Sequence, residues 1–291
     1  TNIVRAFMIS GPGRKIIDAD YESLEPHCFA SVTGDIALQE IFNNGWDFYS
    51  TVAIKTEKLD QDTRRFPNGV SPDKKAPNYL KNLDAPARNR AKPYSLGIAY
   101  GMEAYALAMT LNIPQKEAEK LVAGYLDGFP QLKEWRVQSR NQVKTHGYIK
   151  NRVGRIRHLP KVKQLFDKYG DQLMDWRFRK DLEARYGKDA VSQMYRDYRN
   201  GLNNCLNYQL QSLAAAVVNR AAVQINRKLK ELQIDGRVQA QVHDQLIINV
   251  PEDKAEEVAP IIKQIMESTT KLPGVTLKAP PEIASNWRDG H

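Results

Sequence analysis

The chain has 291 residues, enough for one large domain or two smaller ones with a substantial core. Its 43 lysines and arginines exceed its 34 aspartates and glutamates, and this net charge of +9 favours a polyanionic partner. Two isolated cysteines, Cys28 and Cys205, exclude a disulfide-rich scaffold and predict a protein of the reducing cytoplasm. No run reaches the roughly 20 apolar residues of a membrane-spanning helix.

The first elements are predicted to be two short strands, residues 3–9 and 15–21, joined by a Gly-Pro-Gly turn. The second strand is apolar and ends in acid at Asp20. Asp18 shares a strand face with Asp20 because residues i and i+2 point the same way, so we expect it to support Asp20 or to face solvent. Residues 23–42 read as one helix.

The middle of the chain is predicted to be a long surface loop followed by helices. The loop covers residues 55–86, and the helices cover residues 88–109, 115–126 and 129–146. On the first helix Arg88, Lys92, Leu96 and Tyr100 recur every four residues and stay close to one face. Two cations beside an apolar and an aromatic side chain suit a triphosphate with a flat base. A surface helix with snorkelling cations is the alternative interpretation.

Residues 161–200 interleave Trp176, Phe178, Tyr195 and Tyr198 with many charges. This segment is predicted to contact DNA or a partner, or else to be a self-packed helical hairpin with a solvated face. The remaining elements are predicted in the order helix, hairpin, helix and short strand, at residues 203–232, 237–251, 252–269 and the chain end.

Asp244 lies at the tip of the predicted hairpin, in the run QVHDQLIINV. Together with Asp20 it supplies two carboxylates from opposite ends of the chain. Oxygen ligands of this kind suit Mg²⁺, and paired ions stabilise the attacking and leaving oxygens of a phosphoryl transfer. A solvated turn aspartate is the alternative for either residue alone.

These segments resemble the polymerase domain of family A DNA polymerases, the group of bacterial DNA polymerase I and its phage relatives. The family's Asp-Tyr-Ser-Gln-Ile-Glu motif is matched by residues 20–25, and its Arg-x-x-x-Lys helix ending in Tyr-Gly by residues 88–101. Its His-Asp-Glu turn is matched by residues 243–245, and its Gly-Arg-Arg-x-x-Leu-Pro stretch by residues 152–160. The resemblance extends to the Asn-Trp and final His at the chain end.

The resemblance implies an α+β fold with an antiparallel palm sheet built from both chain ends and helical fingers from the middle. It places palm at residues 1–35 and 201–291, fingers at 36–160, and an insertion at 161–200. The chain starts shortly before Asp20, where relatives carry a thumb and usually an exonuclease. We therefore expect a split or truncated polymerase that lacks both domains, leaves a sheet edge exposed near its start, and pairs with a second polypeptide that supplies them.

The resemblance also implies template-directed DNA synthesis from a primer 3′ end on primer-template DNA, with deoxynucleotides as substrates. Asp20 and Asp244 would hold two Mg²⁺ ions. Arg88, Lys92, Leu96 and Tyr100 would bind the incoming nucleotide, and Glu25 would be the steric gate against a ribose 2′ hydroxyl. The residues expected to contact the primer-template are Arg155, Asn207, Gln211 and His243.

Four residues depart from the family pattern: Leu96 replaces an aromatic, Gln245 replaces a glutamate, Asn203 replaces an arginine, and Pro93 directly after Lys92 is expected to kink the helix about a turn earlier. None of them removes a metal ligand, so we expect an active enzyme. Two alternatives stay open. A single-subunit RNA polymerase would lack the gate at Glu25, and a non-catalytic nucleic-acid-binding subunit would not need both aspartates.

Overall fold

The structure is a computed structural model and describes residues 5–290. The chain forms two compact units, described separately below. The sheet unit comprises the residues up to Ser31 and those from Gln211 onward, and the helical unit comprises Val32–Leu210.

The strands of the described residues are β1 (Arg14–Asp20), β2 (Tyr148–Lys150), β3 (Ile156–His158), β4 (Arg237–Val242), β5 (Gln245–Pro251) and β6 (Pro281–Ala284). The α-helices are α1 (Leu24–Thr33), α2 (Ile36–Asn43), α3 (Phe48–Glu57), α4 (Leu80–Leu83), α5 (Ala85–Ala99), α6 (Ala104–Leu111), α7 (Gln115–Gly128), α8 (Pro130–His146), α9 (Pro160–Tyr169), α10 (Trp176–Tyr186), α11 (Lys188–Glu231) and α12 (Ala255–Ser268). Helix α11 runs through both units.

The sheet unit contains an antiparallel sheet in the order β4-β5-β1-β6. Its two central strands, β1 and β5, are buried along most of their length because both faces of the sheet are covered. Helix α12 contacts β1 and β6 with an apolar stripe that includes Val258, Ile262 and Met266, spaced as one helical face. Each buried aliphatic side chain stabilises this packing by about 1.5–3 kcal/mol. The α+β expectation is confirmed.

The strand predicted at residues 3–9 is wrong for the part that the structure describes. Arg5 and Ala6 are helical, and Ile9 makes only an isolated bridge with Asn286, while residues 1–4 lie outside the described residues. Met8 and Ser10 instead form backbone hydrogen bonds with Trp287 and Ser285 near the chain end. Moreover, β1 is paired on both sides, so the open edges of this sheet are β4 and β6 rather than the strand nearest the chain start.

The helical unit has a core where α3 packs against α5 and α7. Tyr94 and Tyr125 meet edge to face in this core, and the Tyr125 hydroxyl donates a 2.6 Å hydrogen bond to the carbonyl oxygen of Ser95. Gly124 permits the close approach of α3 and α7, because a Cβ there would lie 2.3 Å from the carbonyl oxygen of Thr56. Helices of this unit therefore pack backbone to backbone at one point.

The carboxylate of Asp35 caps two helices of the helical unit. Its Oδ1 accepts from the backbone of Ala37 and Leu38 in α2, and its Oδ2 accepts from Gln131 and Leu132 in α8. Burial nevertheless raises the pKa of Asp35, against these hydrogen bonds that lower it. This capping residue explains why the single helix predicted at 23–42 is two helices that break at Gly34 and Asp35.

The helix predicted at 88–109 is likewise two helices, α5 and α6, separated at residues 100–103. Gly101 in this break has φ +100°, and a Cβ there would lie 2.5 Å from Oδ1 of Asn203. Helix α5 runs through Pro93 without a break. The predicted loop at 55–86 also contains the end of α3, a 3₁₀ turn at Leu59–Gln61 and α4.

The segment 161–200 packs on itself and on its neighbours in the helical unit. Leu173, Leu182, Val191 and Tyr198 are buried, and the Tyr198 hydroxyl donates to Asp171. The helix predicted at 203–232 therefore begins earlier, at Lys188, and has 44 residues. The predicted helix at 252–269 begins at Ala255 after a 3₁₀ turn. Within residues 5–290 no helix is long and apolar enough to cross a membrane.

Candidate active site

The sheet register brings the two predicted metal ligands to neighbouring positions in the sheet unit. Asp20 ends β1 opposite Gln245, and Asp244 directly precedes Gln245 in the two-residue turn between β4 and β5. With strands about 4.8 Å apart and a rise of about 3.4 Å per residue, the two Cα atoms are separated by roughly 6 Å. The backbones of two aspartates from opposite ends of the sequence therefore lie next to each other.

The end of β1 is anchored just after Asp20. Tyr21 is buried, and its hydroxyl donates a 2.8 Å hydrogen bond to the carbonyl oxygen of Met266 in α12. Burial is the main cause of the raised pKa of this hydroxyl, so Tyr21 stays a neutral donor. The backbone N–H of Glu22 donates to the carbonyl oxygen of Lys278. These two contacts fix the point where β1 leaves the sheet.

Strained backbone lies on both sides of this region. Ser23 (φ +53°) precedes α1, and His243 (φ +55°) is the first residue of the hairpin turn. Left-handed backbone is uncommon for residues other than glycine, costs about 1 kcal/mol or more, and concentrates at functional sites. The carbonyl oxygen of Ser23 accepts from the backbone N–H and from Nδ1 of His27, which stabilises the strained start of α1.

Two cavities of about 450 Å³ open in the sheet unit. One contains Asp20 and is lined mainly by acids and by the segment near the chain end, namely Asp18, Asp20, Tyr21, Glu22, Pro280, Glu282, Asp289 and Gly290. The other contains Asp244 and is lined by Leu24, Glu25, Gln211, Ala214, Ala215, Val218, Gln241, His243 and Asp244. The second cavity thus brings together the predicted gate Glu25 and the predicted primer-template residues Gln211 and His243.

Asp18 is buried at 2% exposure and does not face solvent, contrary to one of the two sequence expectations. Both of its carboxylate oxygens accept from Nε2 of Gln245 at 2.7 Å. The strand alternation indicated that Asp18 shares a face with Asp20, but the pairing with Gln245 had no local signal. Glu282, opposite Asp18 in the register of β1 and β6, is a further acid that the sequence interpretation missed.

In the helical unit the predicted nucleotide residues lie along α5 and its end. Lys92 is exposed and makes no ion pair with any residue between 5 and 290, and Leu96 is half-buried. Arg88 differs, because its Nε and Nη2 donate to the two carboxylate oxygens of Asp47 at 2.8 Å each. Tyr100 is the C-terminal cap of α5. Lys92 is therefore accessible to an anion, whereas Arg88 already binds one.

The remaining predicted primer-template residues also belong to the helical unit. Arg155 is exposed in the turn between β2 and β3, where Asn151 fixes the backbone by accepting from Val153 and Arg155. Asn207 lies on α11, and its Oδ1 is buried without a hydrogen bond to the described residues. Asn203, on the same helix, accepts from Arg140 at 3.0 Å and lies where a Cβ at Gly101 would clash with it.

A divalent ion such as Mg²⁺ requires oxygen donors, which carboxylates and water supply. Among residues 5–290 no three His, Cys, Asp or Glu side chains are arranged to hold a metal ion by themselves. Two aspartates at neighbouring backbone positions nevertheless fit Mg²⁺, which keeps several waters and is bound through one or two carboxylates together with substrate phosphates. Asp20 and Asp244 meet this requirement.

The family model described as DNA polymerase family A matches residues 74–289. The chain belongs to DNA polymerase family A. The match contains the α5 motif and the hairpin with Asp244. Relatives of this family align with nearly the whole chain, including β1 and Asp20, as described next.

The chain is 26% identical over 284 residues to the thermostable DNA polymerase I of Thermus filiformis, an alignment that covers 98% of this chain and 28% of the relative. It is 27% identical over 287 residues to DNA polymerase I of Bacillus caldotenax, covering 99% of this chain and 27% of the relative. It is 28% identical over 286 residues to DNA polymerase I of Deinococcus radiodurans, covering 98% and 25%. The chain thus spans about a quarter of the length of these family A relatives.

Among solved structures, the polymerase domain of Pol1 from M. smegmatis, in complex with a DNA primer-template and a dNTP, is similar with a TM-score of 0.75. The identity is 25%, and the likeness covers 99% of this chain and 43% of that chain. The α+β fold expected from the resemblance is therefore the fold of a family A polymerase domain.

Proposed function

We propose that this chain carries the palm and fingers of a DNA-directed DNA polymerase and adds deoxynucleotides to a primer 3′ end. The observation that carries the proposal is that Asp20, at the end of β1, and Asp244, in the turn before the paired strand β5, occupy neighbouring backbone positions in a chain of family A. The sheet unit would be the palm and the helical unit the fingers, with segment 161–200 as an insertion.

Asp20 and Asp244 would hold two Mg²⁺ ions, which supply charge stabilisation and an activated primer hydroxyl when bound. The exposed ammonium of Lys92 would pair with the triphosphate, and Leu96 and Tyr100 would contact the nucleotide. Arg88 would act chiefly by fixing α5 through Asp47, and only secondarily on phosphate. The exposure of Lys92 and the ion pair of Arg88 with Asp47 support these different roles.

Glu25 would exclude a ribose 2′ hydroxyl from the cavity that it lines together with Gln211, His243 and Asp244. His243 would lie by the primer terminus. Gln211, Asn207 and Arg155 would contact the primer-template, which the exposed guanidinium of Arg155 supports. The M. smegmatis relative, solved with primer-template and dNTP, supports this choice of partners.

The second polypeptide and the cytoplasmic location stay predictions. Purification from the native source, followed by identification of proteins that co-elute, tests the first, and fractionation of the source cells tests the second.

The decisive experiment is primer extension in Mg²⁺ with Asp20→Ala and Asp244→Ala, beside the exposed carboxylate control Asp253→Ala of the same unit. Each site variant should retain under about 1% of the rate, a barrier increase of roughly 3 kcal/mol, while the control stays active. Primer-template affinity should change little because DNA is bound by many basic and backbone contacts. Substantial extension by either site variant would contradict the assignment, and a preference for ribonucleotides in the unmodified chain would favour the RNA polymerase alternative.

A further inference from the structure

Asp18 and Gln245 form a buried tie between β1 and β5. Their exposures are 2% and 3%. Nε2 of Gln245 lies 2.7 Å from both Oδ1 and Oδ2 of Asp18. Because a carboxylate only accepts, the amide group is the donor, and a hydrogen bond to a charged group is stronger than one between neutral groups.

The tie lies where the two strands deliver the proposed metal ligands. Asp18 precedes Asp20 by two residues and shares its face of β1. Gln245 directly follows Asp244 and is the register partner of Asp20. The Asp18–Gln245 tie therefore fixes the spacing of β1 and β5 close to Asp20 and Asp244. The separation of these two aspartates decides whether they can bind the same ion.

The identity of residue 245 follows from Asp18. A glutamate at position 245 would bring a second carboxylate within about 3 Å of a buried one, and like charges so close destabilise each other strongly. Glutamine has almost the same shape and supplies the donor that Asp18 requires. The resemblance leads one to expect a negative charge at position 245. In this chain Asp18, on the neighbouring strand β1, carries a negative charge at that place.

We propose that Asp18 is a positioning residue that supplies, from β1, the accessory negative charge beside Asp20 and Asp244, and that Gln245 holds it there. The catalytic consequence rests on the proposed polymerase function. The tie itself does not, because it is a property of the folded sheet unit without metal or DNA.

The tie is tested by urea unfolding of Asp18→Ala, Gln245→Glu and the double variant, all without metal. Each single change should lower the unfolding midpoint. The double variant, D18A/Q245E, should unfold at higher urea than Q245E alone, because it removes the clash while keeping one carboxylate. Additive losses, with the double variant the least stable, would overturn the pairing.

The electrostatic role is tested by Mn²⁺ binding, followed by electron paramagnetic resonance of the chain, and by the Mg²⁺ concentration that gives half-maximal extension. Asp18→Asn, which keeps the shape but loses the charge, should weaken both by at least about tenfold, because one unit charge about 7 Å from a dication has roughly this effect in water and a larger one where it is buried. D18A/Q245E should return to within about threefold of the unmodified chain, because its charge is restored on β5.

A matched control is Asn249→Ala, at the other end of β5. Asn249 is buried and donates to the carbonyl oxygen of Ser10 at 2.8 Å, so its loss should lower the urea midpoint without changing Mn²⁺ binding. Unchanged Mn²⁺ binding in Asp18→Asn, or an equal shift in Asn249→Ala, would overturn the electrostatic role. A chain that extends no primer would refute the proposed function instead, while the urea and Mn²⁺ measurements would still decide this inference.

Discussion

Asp47→Asn removes the charge that binds Arg88 and should lower the stability of the helical unit. The two carboxylate oxygens of Asp47 accept from the Arg88 fork at 2.8 Å each, and the side chains are only 9% and 15% exposed. Burial alone would raise the pKa of Asp47, but hydrogen bonds from Arg88 and Ser50 keep it below its usual value. The hydrogen bonds that Arg88 donates to Asp47 in turn raise the pKa of Arg88.

The expected loss follows from the geometry of the pair. Removing one charge of a buried pair costs about 3–5 kcal/mol because the other charge stays buried and uncompensated. Partial solvent contact of both side chains, and the remaining oxygen that still accepts from Ser50 at the start of α3, reduce this to about 2–3 kcal/mol. Urea unfolding measures the loss. Asp175→Asn is the control, since Asp175 caps α10 through Arg177 but is exposed and forms no ion pair with the described residues.

The pH dependence has a defined sign. Because the folded-state pKa of Asp47 lies below the unfolded value of about 3.9, its contribution is complete above pH about 5 and is lost as pH falls through the folded-state pKa. The difference in unfolding free energy between the unmodified chain and Asp47→Asn should therefore shrink in acid. Equal losses for Asp47→Asn and Asp175→Asn at neutral pH, or a difference between Asp47→Asn and the unmodified chain that does not shrink as the pH falls, would refute this reasoning.

The other predictions concern substrate contacts. Glu25→Ala should reduce discrimination against ribonucleotides by more than about tenfold, or about 1.4 kcal/mol, measured as the ratio of kcat/KM values; an unchanged ratio would assign sugar selection elsewhere. Lys92→Ala should raise the KM for dNTPs by about tenfold or more. The urea midpoint should not change, because the exposed Lys92 ammonium forms no ion pair within residues 5–290. A lowered midpoint would show that Lys92 has a structural role. Trp176 is 56% exposed, and Lys180 and Arg177 lie 5.0 Å and 5.7 Å from the centre of its ring. Trp176→Ala should therefore weaken the binding of single-stranded DNA about tenfold, measured by fluorescence anisotropy. The binding of blunt duplex DNA should not change. Equal binding of single-stranded DNA by the unmodified chain and by Trp176→Ala would show that this face of α10 does not contact DNA.

Several parts of this protein were determined by short stretches of sequence. The strand ending at Asp20 and the hairpin carrying Asp244 are apolar runs bounded by turns, and α7 and α8 are marked by Pro114 and Gly147. These signals depend on side-chain periodicity and backbone preference within a few residues. The adjacency of the two aspartates came from the family resemblance, and the register of β1 and β5 places it in the sheet.

Tertiary contacts decided what those stretches do. Asp18 meets its partner 227 residues away, and Arg88 meets Asp47 at a separation of 41 residues, so neither pairing leaves a local pattern. The break between α5 and α6 depends on Asn203 lying against Gly101, and the start of α11 at Lys188 depends on packing of segment 161–200. Burial turns a polar residue into a structural one only when a partner from elsewhere in the chain satisfies it, and that partner is fixed by the fold as a whole.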